Sequence, residues 1–194
     1  MLSARVPVTV VAADRPCRGL EVAKAAGIDT ELVDRNDYGG YGADFDRARF
    51  TEHLVARLAP YRLDLVAMAG FGTVVTQAMH DAFSGRLLNT HPALLPAFPG
   101  WHAVEEALAA GAEVTGCTVH VATLDMDSGP VLAQQEVPVL AGDTVQSLHE
   151  RIKEVERSLY PATIMAVLDA LAAGGRATDV TSVPAEGNRR EPAR

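Results

Sequence analysis

The run LDLVAMAGF, Leu63 to Phe71, is apolar at nearly every position. No other stretch constrains the fold as tightly. A strand with one wet face alternates apolar and polar residues, whereas an unbroken short apolar run predicts a strand covered on both faces, as in parallel sheets under helices. The neighbouring segments agree. Val6 to Ala13 reads as a buried strand with Pro7 at its beginning, where a missing donor does least harm, and Ile28 to Val33 as another. Between them DRPCRG leads into a helix over Leu20 to Ala26, ended by Gly27. Phe50, Leu54, Val55 and Leu58 give Phe45 to Leu58 a helical stripe.

Further along, Thr76 can cap a helix over Gln77 to Phe83, and Ala103 to Ala110 forms a helix stopped by Gly111. Val114 to Ala122 and Val131 to Val137 read as strands. GDT, Gly142 to Thr144, opens a long helix to about Ala172, which Pro161 is predicted to kink or divide. Strands alternating with helices predict an α/β class: an open, mostly parallel twisted sheet with helices on both faces. A chain of 194 residues fits one domain, residues 1–173, and residues 174–194 lack any sustained period, as expected of a flexible tail.

Composition narrows the function. The formal charge of -8 repels polyanions and speaks against a nucleic-acid partner. A small anionic metabolite remains compatible, because a local nest of N–H groups outweighs a distant net charge. Cys17 and Cys117 have neither disulfide-framework nor metal spacing and read as buried thiols in a reducing cytoplasm. MLSARVPVTVVAA reads as a strand rather than a signal peptide, and no apolar run is long enough to span a bilayer. The expectation is a cytoplasmic protein with small-molecule substrates, a monomer or weak homodimer, without nucleic acid or membrane.

The densest chemistry lies in LLNTHPALLPAFPG, Leu87 to Gly100. Asn89 and His91 would emerge at the end of a buried strand, with Pro92, Pro96 and Pro99 restricting the backbone behind them. Asparagine can grip an oxygen on which charge develops, and histidine can supply a proton near neutral pH. Taken alone, the pair reads equally well as turn residues. A second cluster, TVHVATLDMDSGP, adds His120 on a strand and Asp125 and Asp127 in the loop after it. A carboxylate beside His91 would orient the ring and favour its charged form. HExxH and any dense ligand set are absent, so no metal is expected. A glycine-rich phosphate turn of the SGxGS kind is also absent, with GGYG, Gly39 to Gly42, the nearest substitute.

With these pieces together, the chain resembles the phosphoribosylglycinamide formyltransferases of purine biosynthesis from about Val6 to Leu171. The resemblance rests on AGFGTVVT, LLNTHPALLPAFPG, VTGCTVHVATLDMDSGPVLAQ and ERIKEVERSLYPATI. It implies a formyltransferase-like sheet, 10-formyltetrahydrofolate as co-substrate and glycinamide ribonucleotide as acceptor. It also implies Asn89, His91 and Asp127 as the catalytic residues, supported by His120. Met68, Phe71, Val74, Val75, Leu88, Ala122, Leu124 and Asp125 would meet the folate, and Glu156, Lys153 and His102 the ribonucleotide. By the same resemblance the chain starts at the family's second strand, without the first strand and its phosphate loop. Thr73 stands where many members carry an arginine, and Val104 replaces the second histidine of a pair begun by His102. An amino-sugar acceptor, or a catalytically impaired folate-binding protein on the same scaffold, is the alternative reading.

Overall fold

The computed structural model describes residues 4–180. The described chain divides after Leu87 into two compact units, where composition alone suggests one.

The first unit contains β1 (Val10–Ala13), α1 (Arg18–Ala25), β2 (Asp29–Leu32), α2 (Arg47–Leu58), β3 (Val66–Ala67) and α3 (Gln77–Ala82). β1 and β2 pair in parallel from Val10 opposite Asp29 to Ala13 opposite Leu32. α1 packs on both strands through buried Leu20 and Ala23, and Gly27 ends it at φ 72°. Phe50, Thr51, Leu54 and Leu58 form the buried stripe of α2.

Two strand expectations need correction. β1 is only four residues long and is half-buried except at Ala13, and the apolar run at Leu63 to Phe71 yields just the two half-buried residues of β3. An apolar sequence makes burial favourable, but neighbours on both edges and faces must supply it. Among the described residues β1 pairs with β2 alone. Past β3 the backbone turns at Gly70, whose φ of 63° is left-handed and ends the extended run. Thr76 precedes α3 as expected but makes no side-chain cap bond.

The second unit holds β4 (Leu87–His91), α4 (Ala103–Ala109), β5 (Val114–Val121), β6 (Val131–Pro138) and α5 (Val145–Ala172). β4 pairs with β5, and β5 with β6, both antiparallel. The open α/β class therefore holds with mixed sheets, parallel in the first unit and antiparallel here. β5 is buried from Thr115 to Val121, with α5 packed across β5 and β6.

The Thr144 hydroxyl caps α5 by accepting from Ser147 N–H at 3.1 Å. Pro161 does not divide the helix, which runs unbroken for 28 residues. Leu159, Tyr160, Thr163 and Ile164 are buried around the proline, and that packing outweighs one lost backbone bond. Residues 177–179 form a 3-10 turn with Ala177 buried, while residues 181–194 lie outside the described residues. Cys117 is buried as expected, but Cys17 is exposed at the start of α1, where the chain has just left β1.

Candidate active site

The β4–β5 ladder sets the site. Asn89 stands opposite His120 and His91 opposite Thr118. Residues two apart share a face of a strand and opposed residues meet across a ladder, so these four side chains lie on one side of the sheet. β4 extends through His91, so Asn89 sits within the strand rather than beyond its end. Asn89 Nδ2 lies 3.3 Å from His120 Nε2. His120 Nδ1 donates to the Val121 carbonyl at 3.1 Å, which leaves Nε2 of the neutral ring to accept from the Asn89 amide. A register shift between Val119 and His120 bulges β5 against β6 next to the site.

Asp127 comes from the loop after β5, at a left-handed φ of 55°, which aspartate tolerates better than most residues. Its Oδ2 accepts the Gly100 N–H at 2.8 Å and lies 3.3 Å from His91 Nδ1, while Oδ1 lies 3.5 Å from His120 Nε2. His120 Nε2 thus faces two partners, the Asn89 amide and the Asp127 carboxylate. The loop is built to hold this position. The Thr123 and Ser128 hydroxyls both donate to the Asp125 carbonyl, at 2.9 and 2.7 Å. A Cβ at Gly129 would collide with the Val121 carbonyl, so only glycine returns the chain so close to β5. Burial pushes the Asp127 carboxyl up, but the His120 hydrogen bond, the Gly100 N–H and the histidine charges outweigh it, holding it below its ordinary value. At neutral pH Asp127 is a carboxylate.

His91 is buried, and its Nε2 donates to the Phe98 carbonyl at 2.7 Å. With Asp127 at Nδ1, both ring nitrogens face acceptors, and only the doubly protonated ring can donate to both. Phe98 has a φ of 52°, a rare conformation for a bulky side chain. The segment between His91 and Phe98 is pinned by Thr118, whose hydroxyl donates to the Ala93 carbonyl at 2.6 Å. The same oxygen accepts from Leu95 N–H at 3.1 Å and Gln134 Nε2 at 2.9 Å. Phe98, Gly100 and Thr118 were not singled out from the sequence. Only Gly100 carried a signal, a glycine after proline, and its φ of 94° requires that residue.

The remaining expected residues fall into both units. Met68, Phe71 and Val74 are half-buried and Val75 buried in the first unit. In the second, Ala122 is half-buried, Leu124 and Asp125 are exposed, and Leu88 is fully buried with its carbonyl accepting from the Tyr160 hydroxyl. Leu88 therefore offers packing rather than open surface. On α5, Lys153 pairs with Glu150 at 2.9 Å. Glu156 is half-buried, and burial raises its carboxyl above the ordinary value against the pull of Lys153 and Arg157. His102 is exposed at the start of α4. In the GGYG stretch the Gly40 N–H is taken by the Arg35 carbonyl at 2.9 Å, which removes one donor from any phosphate nest there. Among the described residues no group of three or more histidine, cysteine or acidic side chains is placed to hold a metal ion.

Residues 3–164 match the formyl transferase family. The chain is 46% identical over 160 residues to the phosphoribosylglycinamide formyltransferase of Mycobacterium tuberculosis, covering 82% of this chain and 72% of that protein. The crystal structure of glycinamide ribonucleotide transformylase 1 from Symbiobacterium toebii superposes with a TM-score of 0.77 at 43% identity, over 89% of this chain and 78% of that one. That of phosphoribosylglycinamide formyltransferase from Streptococcus pneumoniae also reaches 0.77, at 34% identity over 86% and 90%. The chain belongs to the formyl transferase family, in its phosphoribosylglycinamide formyltransferase branch.

Proposed function

We propose that this chain transfers the formyl group of 10-formyltetrahydrofolate to the amino group of glycinamide ribonucleotide, with Asn89, His91 and Asp127 as its catalytic residues. One observation carries the reading: an amide, an imidazole and an ionised carboxylate converge on one side of the β4–β5 ladder. Formyl transfer needs a donor for the oxygen that becomes negative as the amine adds to the formyl carbon. It also needs a path for the surplus amine proton to the folate nitrogen that leaves.

Asn89 has a second N–H beyond the one facing His120, and that N–H serves the oxyanion. The His91 cation adds charge stabilisation, and Asp127 keeps that cation in place and hands the proton on. Direct donation from His91 requires Nε2–H to turn away from the Phe98 carbonyl. Residues in such backbone regions carry on the order of 1–3 kcal/mol of strain, so relaxation of Phe98 would favour that turn.

We assign Met68, Phe71, Val74, Val75, Ala122, Leu124 and Asp125 to the folate, and Glu156, Lys153 and His102 to the ribonucleotide. The names of the relatives favour the ribonucleotide acceptor over an amino sugar. The test is a formyl-transfer assay with glycinamide ribonucleotide, using Asn89→Ala as control. Turnover on an amino sugar alone would overturn the acceptor. Folate binding without any turnover would favour the impaired-binder reading instead.

A further inference from the structure

Trp101 is 63% exposed, the most exposed large apolar side chain among the described residues, in a chain with one tryptophan. One exposed apolar side chain needs no explanation, but several close together and rimmed by polar groups mark a place where another molecule lands. Its position is specific. Trp101 directly follows Gly100, whose N–H holds the Asp127 carboxylate at 2.8 Å. On the other side of that bond, Met126 directly precedes Asp127 and is 44% exposed, with Leu124 beyond it at 55%. Two loops are therefore pinned together at a catalytic carboxylate, and each carries an exposed apolar side chain next to the pin. The Asp127 loop is braced internally by Thr123 and Ser128, which fixes the backbone that carries Leu124 and Met126 before a ligand arrives.

We infer that Trp101 is a binding residue for the folate, its ring packing on the flat aromatic part of the formyl donor beside Asp127. This rests on the transferase reading above. The chemistry selects between the two substrates. A ribonucleotide with an aminoacyl tail offers charge and hydroxyls but no aromatic face, whereas the folate carries a pterin and an aminobenzoyl ring. The first offers an indole at most a cation–π contact with its aminoacyl ammonium, and the second offers flat rings on which to stack.

The single tryptophan supplies the experiment. Titration of the whole chain with a stable folate analogue is expected to change Trp101 fluorescence with saturation, and glycinamide ribonucleotide alone is expected to leave it unchanged. Trp101→Ala is expected to raise the folate KM and the calorimetric Kd roughly 3- to 10-fold, the size of one aromatic contact. The kcat and the ribonucleotide KM should move less than about 2-fold, the pattern of lost uniform binding. Trp101→Phe should recover most of the loss, which a merely structural role would not produce. A folate KM and Kd unchanged in Trp101→Ala, or an effect on the ribonucleotide instead, overturns the assignment. Failure of the transferase reading looks different: wild type then shows no turnover, and the contribution of the ring is still read from the Kd of the analogue.

Discussion

In the first unit the buried polar side chains pair mainly with one another, although Arg35 Nε is left without a hydrogen-bond partner. The Thr73 hydroxyl donates to Asp14 at 2.7 Å and accepts from Arg35 at 3.0 Å, and the Arg35 guanidinium lies over the rings of Tyr41 and Phe45, 4.3 and 4.4 Å from their centres. Glu31 is answered by the Tyr61 hydroxyl at 2.8 Å and by Arg57. In the second unit the polar groups share partners instead. Asp127 serves Gly100, His91 and His120, while Asn89 keeps one N–H and its oxygen uncommitted among the described residues. A closed network anchors loops to short strands, and an open one leaves donors for a ligand. The open network also rests on longer strands, the five residues of β4 and the eight of β5, where the closed one has four-residue strands.

That contrast can be broken most severely at the open network. Asn89→Ala and Asp127→Asn are each expected to lower turnover at least ~100-fold while the fold persists, the size of a lost oxyanion or proton-transfer group. Steady-state kinetics with circular dichroism as the folding check decides this, and near-normal turnover in either variant removes that residue from the mechanism.

The next effects are on stability. Thr118→Val leaves the Leu95 N–H, the Ala93 carbonyl and one Gln134 partner unanswered, and is expected to cost about 3 kcal/mol. Thr73→Val breaks the polar network of the first unit and is expected to cost about 2 kcal/mol, leaving buried Asp14 with Arg15 at 3.7 Å and Arg35 at 3.9 Å. Urea unfolding of both variants gives the comparison. A cost under about 0.5 kcal/mol for either would show that its hydroxyl is not the anchor described.

Acid titration sharpens the contrast further. Asp127 and Glu31 both have folded values below the ordinary carboxylate range: at Asp127 its histidines and Gly100 outweigh burial, and at Glu31 Tyr61 and Arg57 do so. A depressed folded value contributes stability that is fully present above the unfolded value of about 4 and is lost as pH falls through the folded one. Melting temperatures should therefore fall below about pH 4, less steeply in Asp127→Asn. Parallel melting curves for wild type and variant between pH 3 and 7 would contradict that contribution. The smallest effect belongs to Arg57→Ala. Its side chain is 60% exposed, so loss of the Glu31 pair should cost no more than ~1 kcal/mol by urea unfolding.

The local signals were readable along the chain. Gly27 ends α1, GDT at Gly142 to Thr144 opens α5, the stripe of Phe50, Leu54 and Leu58 defines α2, and the residues of N-x-H spacing fall on one face of β4. Each depends on backbone geometry within a few residues, and such information is local to sequence. Asn89, His91, His120 and Asp127 were therefore nameable from their motifs before any contact was known. Their arrangement was not. The opposition of Asn89 to His120 depends on an antiparallel register, the aim of His120 on a bulge, and the seat of Asp127 on a left-handed turn tied to Gly100. The half-burial of β1 and β3, and the unbroken passage of α5 through Pro161, were settled in the same way. An apolar run or a proline states only a local preference. Which neighbours arrive to cover it, or to outweigh it, is fixed by residues distant in the chain, and that is what tertiary structure alone decided.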